Sequence, residues 1–287
     1  MGRAPAGTVS GNATIASGGS AVIQASLTGT APWTITWSDG QTQTATASPA
    51  AHPVWPGATT QYSITALRDG NGCNGSGNGT ATITVVNLSP PASLVATTSQ
   101  TNTLAVTVWW SAGAGAAWYQ VERATRITAN DWQVLSGHVT SMSVGDTFGA
   151  TQYATTYLYR VRSGATVNNT DVVSLSASPL DYATVGSGLF SDEPLAAGST
   201  RIRGIHLGEL RRAIDAVRYA AGLPAAWSSY DALSGPILAG QNNEARQKLD
   251  DAVYTLLGRT VSYSGEIPAQ RGVIRAYQLQ QIRDGVR

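Results

Sequence analysis

The chain has 287 residues, a formal net charge of +1 and 12% charged residues, about half the charged fraction of an average globular protein. That length exceeds one β-sandwich and suits two or three domains of roughly 100 residues each. The low charge, without a cluster of five like charges, argues against a nucleic-acid partner and against an anionic membrane surface, and no apolar run approaches the roughly 18 residues needed for membrane insertion as a helix.

Charge is unevenly placed. Residues 1–190 hold 6 Arg and 7 Asp/Glu, whereas residues 191–287 hold 12 Lys/Arg and 10 Asp/Glu. A Ser/Thr/Gly-rich β composition gives way to a charged helical one, which marks a domain boundary. The reading is a mainly β chain: two immunoglobulin-like β-sandwiches in tandem, over 1–88 and 89–187, followed by a small α-helical repeat domain over 188–287. Cys73 is the single cysteine, so no intramolecular disulfide and no cysteine-rich metal site can form.

In the first segment short alternating runs recur at sandwich spacing. Ala21–Ala25 leads to a turn at Thr28-Gly29-Thr30. Trp33, Ile35 and Trp37 then alternate with Thr34 and Thr36, giving one apolar and one hydroxylated face. Ser38-Asp39-Gly40 reads as a hairpin turn, and Thr60–Ala66 and Ala81–Val85 as later strands. The stretch LTGTAPWTITWSDG (27–40), the approach to Tyr62 and the closing GTATITVV (79–86) resemble the Ig-like repeat found in tandem in bacterial surface and secreted proteins. The resemblance implies Trp37 as the core tryptophan and Tyr62 as the corner tyrosine. It also implies a family cysteine near position 16 as partner of Cys73; Ala16 stands there, so that staple is missing. The run Asp69–Gly79 interleaves glycine with oxygen side chains. It reads as a flexible hairpin loop, with a calcium loop as the alternative, although one carboxylate is few for that ion.

Ser89-Pro90-Pro91 reads as a stiff linker. Beyond it, Leu104–Trp110, Trp118–Arg123 and Thr155–Arg162 alternate again. With Pro91 and Leu94, Trp110, YQVERA and TTYLYRVR, these runs resemble a fibronectin type III module. The resemblance implies Tyr157 as the corner tyrosine and Trp110, Tyr119, Val121, Tyr159 and Val161 as core. Trp109 and Trp110 are adjacent on a strand, so one of them must point away from the core. Exposed tryptophans among Trp33, Trp55, Trp109, Trp118 and Trp132 would mark a protein interface, ordinary partial burial or a sugar-stacking site.

After residue 188 the period changes from 2 to 3.6. Leu207, Leu210, Ile214, Val217 and Ala221 form one helical stripe, ended by Gly222 and Pro224. Ile202, Glu209, Arg211, Ile214, Asp215 and Tyr219 return at an offset of 35 as Ile237, Glu244, Arg246, Leu249, Asp250 and Tyr254. Ile202, Leu207, Leu210 and Arg211 return at an offset of 72 as Ile274, Leu279, Ile282 and Arg283. Aromatic turns at Phe190, Tyr230-Asp-Ala-Leu and Tyr263-Ser-Gly-Glu precede the three copies. Three amphipathic helices must pack together to hide their stripes, with Leu210, Ile214, Leu249 and Ile282 as core. The motif I-R-x-I-H-L-x-E-L-R resembles the repeated C-terminal element of secreted proteins from acidobacteria-like bacteria. His206 becomes Gln241 and Gln278 in the other copies, which argues against catalysis or metal binding there. The Glu and Arg copies are expected to form salt bridges between repeats.

His52, His138 and His206 lie one per domain without a partner spacing, and no nucleophile elbow, phosphate loop or paired-carboxylate motif occurs. The expectation is a non-enzymatic chain with no catalytic residues, cofactor or metal, placed outside the cell or at the cell surface. The opening MGRAPAGTVSG carries no apolar leader, so that placement rests on domain type. The function expected is a structural subunit of an extracellular filament or sheath built head to tail. Its partners would be copies of itself, through a donated N-terminal strand over 7–15, and cell-surface or matrix components. An adhesive or carbohydrate-binding module at the end of a larger secreted protein is the alternative.

Overall fold

The computed structural model describes residues 3–150, 154–196, 199–231, 237–264 and 274–287. These form two compact units. One comprises 1–89 with 113–117 and 163–176, the other 90–112, 118–162 and 177–287. The expected boundary at 188 therefore falls inside the second unit.

In the first unit the alternation of Trp33–Trp37 buries Trp33, Ile35 and Trp37 against Ile23, Ala25, Leu67 and Ile83. The strand Ala6–Ser10 lies antiparallel to Ala21–Leu27, which pairs in turn with Ala50–Val54. Trp33–Trp37 sits between Thr42–Ala45 and Ile64–Arg68. The glycine-rich run is not a free loop: Asn74–Asn78 is a strand, antiparallel to Ile64–Arg68 and parallel to Ala6–Ser10. Glycine has little strand propensity, but here backbone and side chains approach too closely for anything larger. A Cβ on Gly75 would stand 2.0 Å from the Pro5 carbonyl oxygen, and one on Gly77 would stand 2.5 Å from the Ile64 Cβ. The Asp69 carboxylate organises the preceding turn, accepting the N–H groups of Asn71 (3.1 Å), Cys73 (2.9 Å) and Thr30 (3.4 Å).

Ala6–Ser10 is paired on both edges within its own chain, and Ala13–Ala16 runs parallel to Ala81–Val86, so donating this segment to a neighbour would require withdrawing it from its own sheets. Position 16 lies opposite Val86 in the three-stranded sheet, whereas Cys73 immediately precedes Asn74–Asn78 in the seven-stranded one.

The second unit builds a three-stranded sheet, Leu94–Thr98, Ala105–Trp110 and Ser143–Thr147, and a second sheet containing Trp118–Ala124, Gln133–Val139, Thr155–Val167 and Asp181–Val185. Between them lie Trp110, Tyr119, Val121, Tyr159 and Val161, all buried. The opposite face of the second sheet is covered as well: Ala124, Leu158 and Tyr182 share one core with the helices. This explains why Asp181–Val185 is buried at four successive positions rather than alternately.

The helices are α1 (Gly204–Ala220), α2 (Ala239–Leu257) and α3 (Ala276–Gly285). Gly222 follows α1 and Gly258 caps α2, with φ of +79° and +67°, the left-handed conformation that ends helices at little cost for glycine. Leu207, Leu210, Ile214, Leu249, Leu279 and Ile282 are fully buried. The expected aromatic turns at 230–233 and 263–266 lie partly outside the described residues.

Candidate interaction surface

Of the anticipated core residues, Trp37, Tyr62, Trp110, Leu210, Ile214, Leu249 and Ile282 are buried. Tyr157 is only half-buried. It lies near the start of its strand, and its ring stacks on Phe148 at 4.5 Å with the Arg123 guanidinium 4.9 Å away. The buried phenol of this strand belongs to Tyr159, which donates to Asp146 at 2.9 Å while Arg123 reaches the same carboxylate at 2.7 Å. Burial, then the Asp146 charge, pushes the Tyr159 hydroxyl well above its ordinary value. Sequence reasoning missed this buried Arg123–Asp146–Tyr159 cluster, because lone charges in two separate strands announce no pairing.

Of the two adjacent tryptophans, Trp110 is the buried one and Trp109 is 46% exposed. Register places Val95 and Ser143 on either side of Trp109, and Thr107 opposite Thr97 and Gly145. The outer face of the three-stranded sheet is thus uncharged, with an apolar centre of Trp109 and Val95. Exposed Met142 follows Trp110 in register, at the end of the sheet, and alternation puts it on the other face. The first unit carries a second exposed apolar patch, built from other residues. Trp55 is 69% exposed just past the strand Ala50–Val54, and exposed Val22 and Pro53 face each other across the adjoining strands. Trp33 and Trp118 are buried and Trp132 is half-buried.

Side-chain hydrogen bonds link the three helices in a closed polar ring around their apolar core. Arg211 donates to Glu244 at 3.2 Å, Arg246 to Gln281 at 3.3 Å, and Arg283 back to Glu209 at 3.0 Å. These are the same two repeat positions each time, so α1 holds α2, α2 holds α3 and α3 holds α1. Each arginine also lies over an aromatic ring: Arg211 over Trp227 (5.2 Å), Arg246 over Tyr263 (4.4 Å) and Arg283 over Phe190 (4.5 Å), an attraction between cation and ring face. Asp215 accepts the Ala226 N–H (2.7 Å) and the Tyr230 hydroxyl (2.8 Å). Burial and that carboxylate push the Tyr230 hydroxyl up to about 12. Asp250 repeats the arrangement with Val261 and Tyr263.

The histidines serve as packing and capping groups. His52 stacks on Trp37 at 4.8 Å with Nε2 2.9 Å from Asp39. His138 stacks on Trp118 at 4.1 Å. His206 lies at the start of α1 between Arg203 and Asp192. Among the described residues no group of three or more His, Cys, Asp or Glu is placed to hold a metal ion, and no helix is long and apolar enough to cross a membrane.

No family model matches the sequence, and no curated protein does. Among solved structures the chain is similar to an Fn3-like protein from Clostridium thermocellum, at 26% identity over 33% of this chain and 86% of that one, with a TM-score of 0.26. It is similar to the FN1–FN3 domains of chicken CNTN1, at 13% identity over 64% and 66% of the two chains, TM-score 0.39. A two-domain fibronectin type III segment of chicken tenascin matches at 13% identity over 58% and 92%, TM-score 0.26. All three are fibronectin type III-like β modules.

Proposed function

We propose that this chain is a non-enzymatic extracellular structural protein that works through contact surfaces on its sandwiches and associates with further copies of itself. The observation that carries the reading is the uncharged outer sheet face centred on Trp109. A tryptophan held in water between Val95 and Ser143, with no charged neighbour in register, is what an interface core requires. Exposed apolar surface of this kind marks an interaction site, and this face carries no charge to oppose contact. The carbohydrate alternative calls for a row of exposed aromatic rings. The Trp109 face offers one, accompanied by Val95 and Ser143 rather than by further rings.

The test is light scattering of the full chain against concentration. Association that grows with concentration and falls at least tenfold in Trp109→Ser supports the proposal. A particle that stays near 30 kDa at all concentrations, or association unaffected by Trp109→Ser, removes its basis.

A further inference from the structure

We infer that His206 is a pH-sensitive latch that closes the ring of helical repeats. The inference rests on the three copies of one local device. At the start of α2 the side-chain carbonyl of Gln241 accepts the N–H of Leu238 at 2.9 Å, and at the start of α3 that of Gln278 accepts the N–H of Arg275 at 2.9 Å. At the start of α1 the acceptor is Nδ1 of His206, 3.3 Å from the N–H of Arg203. All three side chains sit three residues into the helix start, where the free backbone N–H groups need acceptors. An amide accepts a hydrogen bond at any physiological pH. Imidazole accepts through Nδ1 only while neutral, and protonation turns that nitrogen into a donor facing another donor.

The surroundings fix the tautomer and define what the latch holds. With Nδ1 accepting, the ring proton resides on Nε2, which donates to Asp192 at 3.0 Å. The side chain of His206 is fully buried, so water cannot replace the lost acceptor without the turn opening. The charged groups at this point are Asp192 and Arg203, which pair with each other as well. Asp192 stands between two residues that anchor the end of the chain. The Ser191 carbonyl accepts from Arg283 at 3.0 Å, and its N–H donates to Glu209. The Glu193 carboxylate lies 3.2 Å from Arg283 and 2.9 Å from Arg287. The turn that His206 holds through Asp192 is therefore the turn by which α3 is fastened back onto the first repeat. Protonating His206 opposes the Arg203 N–H, loosens that turn and frees α3 from the first repeat, whereas the caps made by Gln241 and Gln278 do not respond to the proton. The proton's attraction to Asp192 works against this release. The inference is that the buried donor–donor conflict outweighs it, because Asp192 is half in water and already neutralised by Arg203.

The experiment is amide hydrogen exchange of the full chain, expressed as protection factors, at about pH 8 and about pH 5, a window that spans the ordinary imidazole range. The comparison is His206→Gln, which installs the acceptor that the other repeats use. The expected result is a loss of protection of at least tenfold at residues 276–285 in the parent chain on acidification, absent from the variant. Nitrogen NMR of the imidazole near pH 8 is expected to find Nδ1 unprotonated and Nε2 protonated. Equal acid responses in parent and variant overturn the inference. So do greater protection of the parent in acid and a ring that carries its neutral proton on Nδ1.

Discussion

Asn242 stands where the first and third repeats place Leu207 and Leu279, fully buried, and neither its Nδ2 nor its Oδ1 has a hydrogen-bond partner among the described residues. An unpaired amide in an apolar ring costs about 1–3 kcal/mol. Asn242→Leu should therefore stabilise the chain by about that amount, raising the denaturant midpoint with an unchanged slope; a lower midpoint would show that the amide is needed in the folded chain. Glu122 is the opposite case. Burial alone would raise its carboxyl, but hydrogen bonds from Arg160 and Gln120 and the charge of Arg162 outweigh burial and hold it below the ordinary value. A carboxyl held down in this way adds stability at neutral pH that fades as pH falls through its folded value. Glu122→Gln should cost roughly 3 kcal/mol at pH 7, and the gap between parent and variant should close in acid below about pH 4. A gap independent of pH would mean that packing, not charge, holds this strand.

At the scale of elements, what the sequence could reveal depended on period. Trp33–Trp37 and Thr155–Arg162 alternate, and the apolar stripes of the C-terminal segment have a helical period, so strand and helix were readable from spacing. The strand Asn74–Asn78 was not, since it exists because close contacts at Gly75 and Gly77 admit no side chain, and glycine otherwise signals a loop. The Glu and Arg copies were readable as inter-repeat bridges, whereas the return of Arg283 to Glu209 depends on three-dimensional closure. That closure is also the most deeply buried. The Arg283 side chain is 0% exposed and meets Glu193 as well as Glu209, while Arg246 reaches a neutral Gln281 from a half-buried position. Removing one partner of a buried charge group costs about 3–5 kcal/mol, and a single hydrogen bond about 1 kcal/mol. Arg283→Met should therefore lower stability by roughly 3 kcal/mol more than Arg246→Met in parallel denaturant melts. Equal losses would mean that the ring shares its load evenly.

For the whole molecule, composition located the change from β to helix near 190 but could not reveal that Leu158 and Tyr182 carry the sandwich into the helical core. The residues that bind the two are ordinary apolar side chains, and only the uninterrupted burial over residues 182–185 betrays a second covered face. The exposed faces were half readable: adjacent Trp109 and Trp110 demanded that one ring face out, but Val95 joined it only through register. Two unlike apolar patches, one around Trp55 on the first unit and one around Trp109 on the second, bear on how copies would assemble. A contact between unlike patches does not close on itself, so it propagates into a filament. It also makes each copy bifunctional, which a mixing experiment can read. Trp55→Ser keeps the Trp109 patch and Trp109→Ser keeps the Trp55 patch. Each variant alone should stay monomeric, and an equimolar mixture should form dimers and nothing longer, because each pair uses its only two intact patches on one another. Sedimentation velocity separates these species by size. Long polymers from either single variant, or a mixture that remains monomeric while the parent chain polymerises, would place the contact on other surfaces.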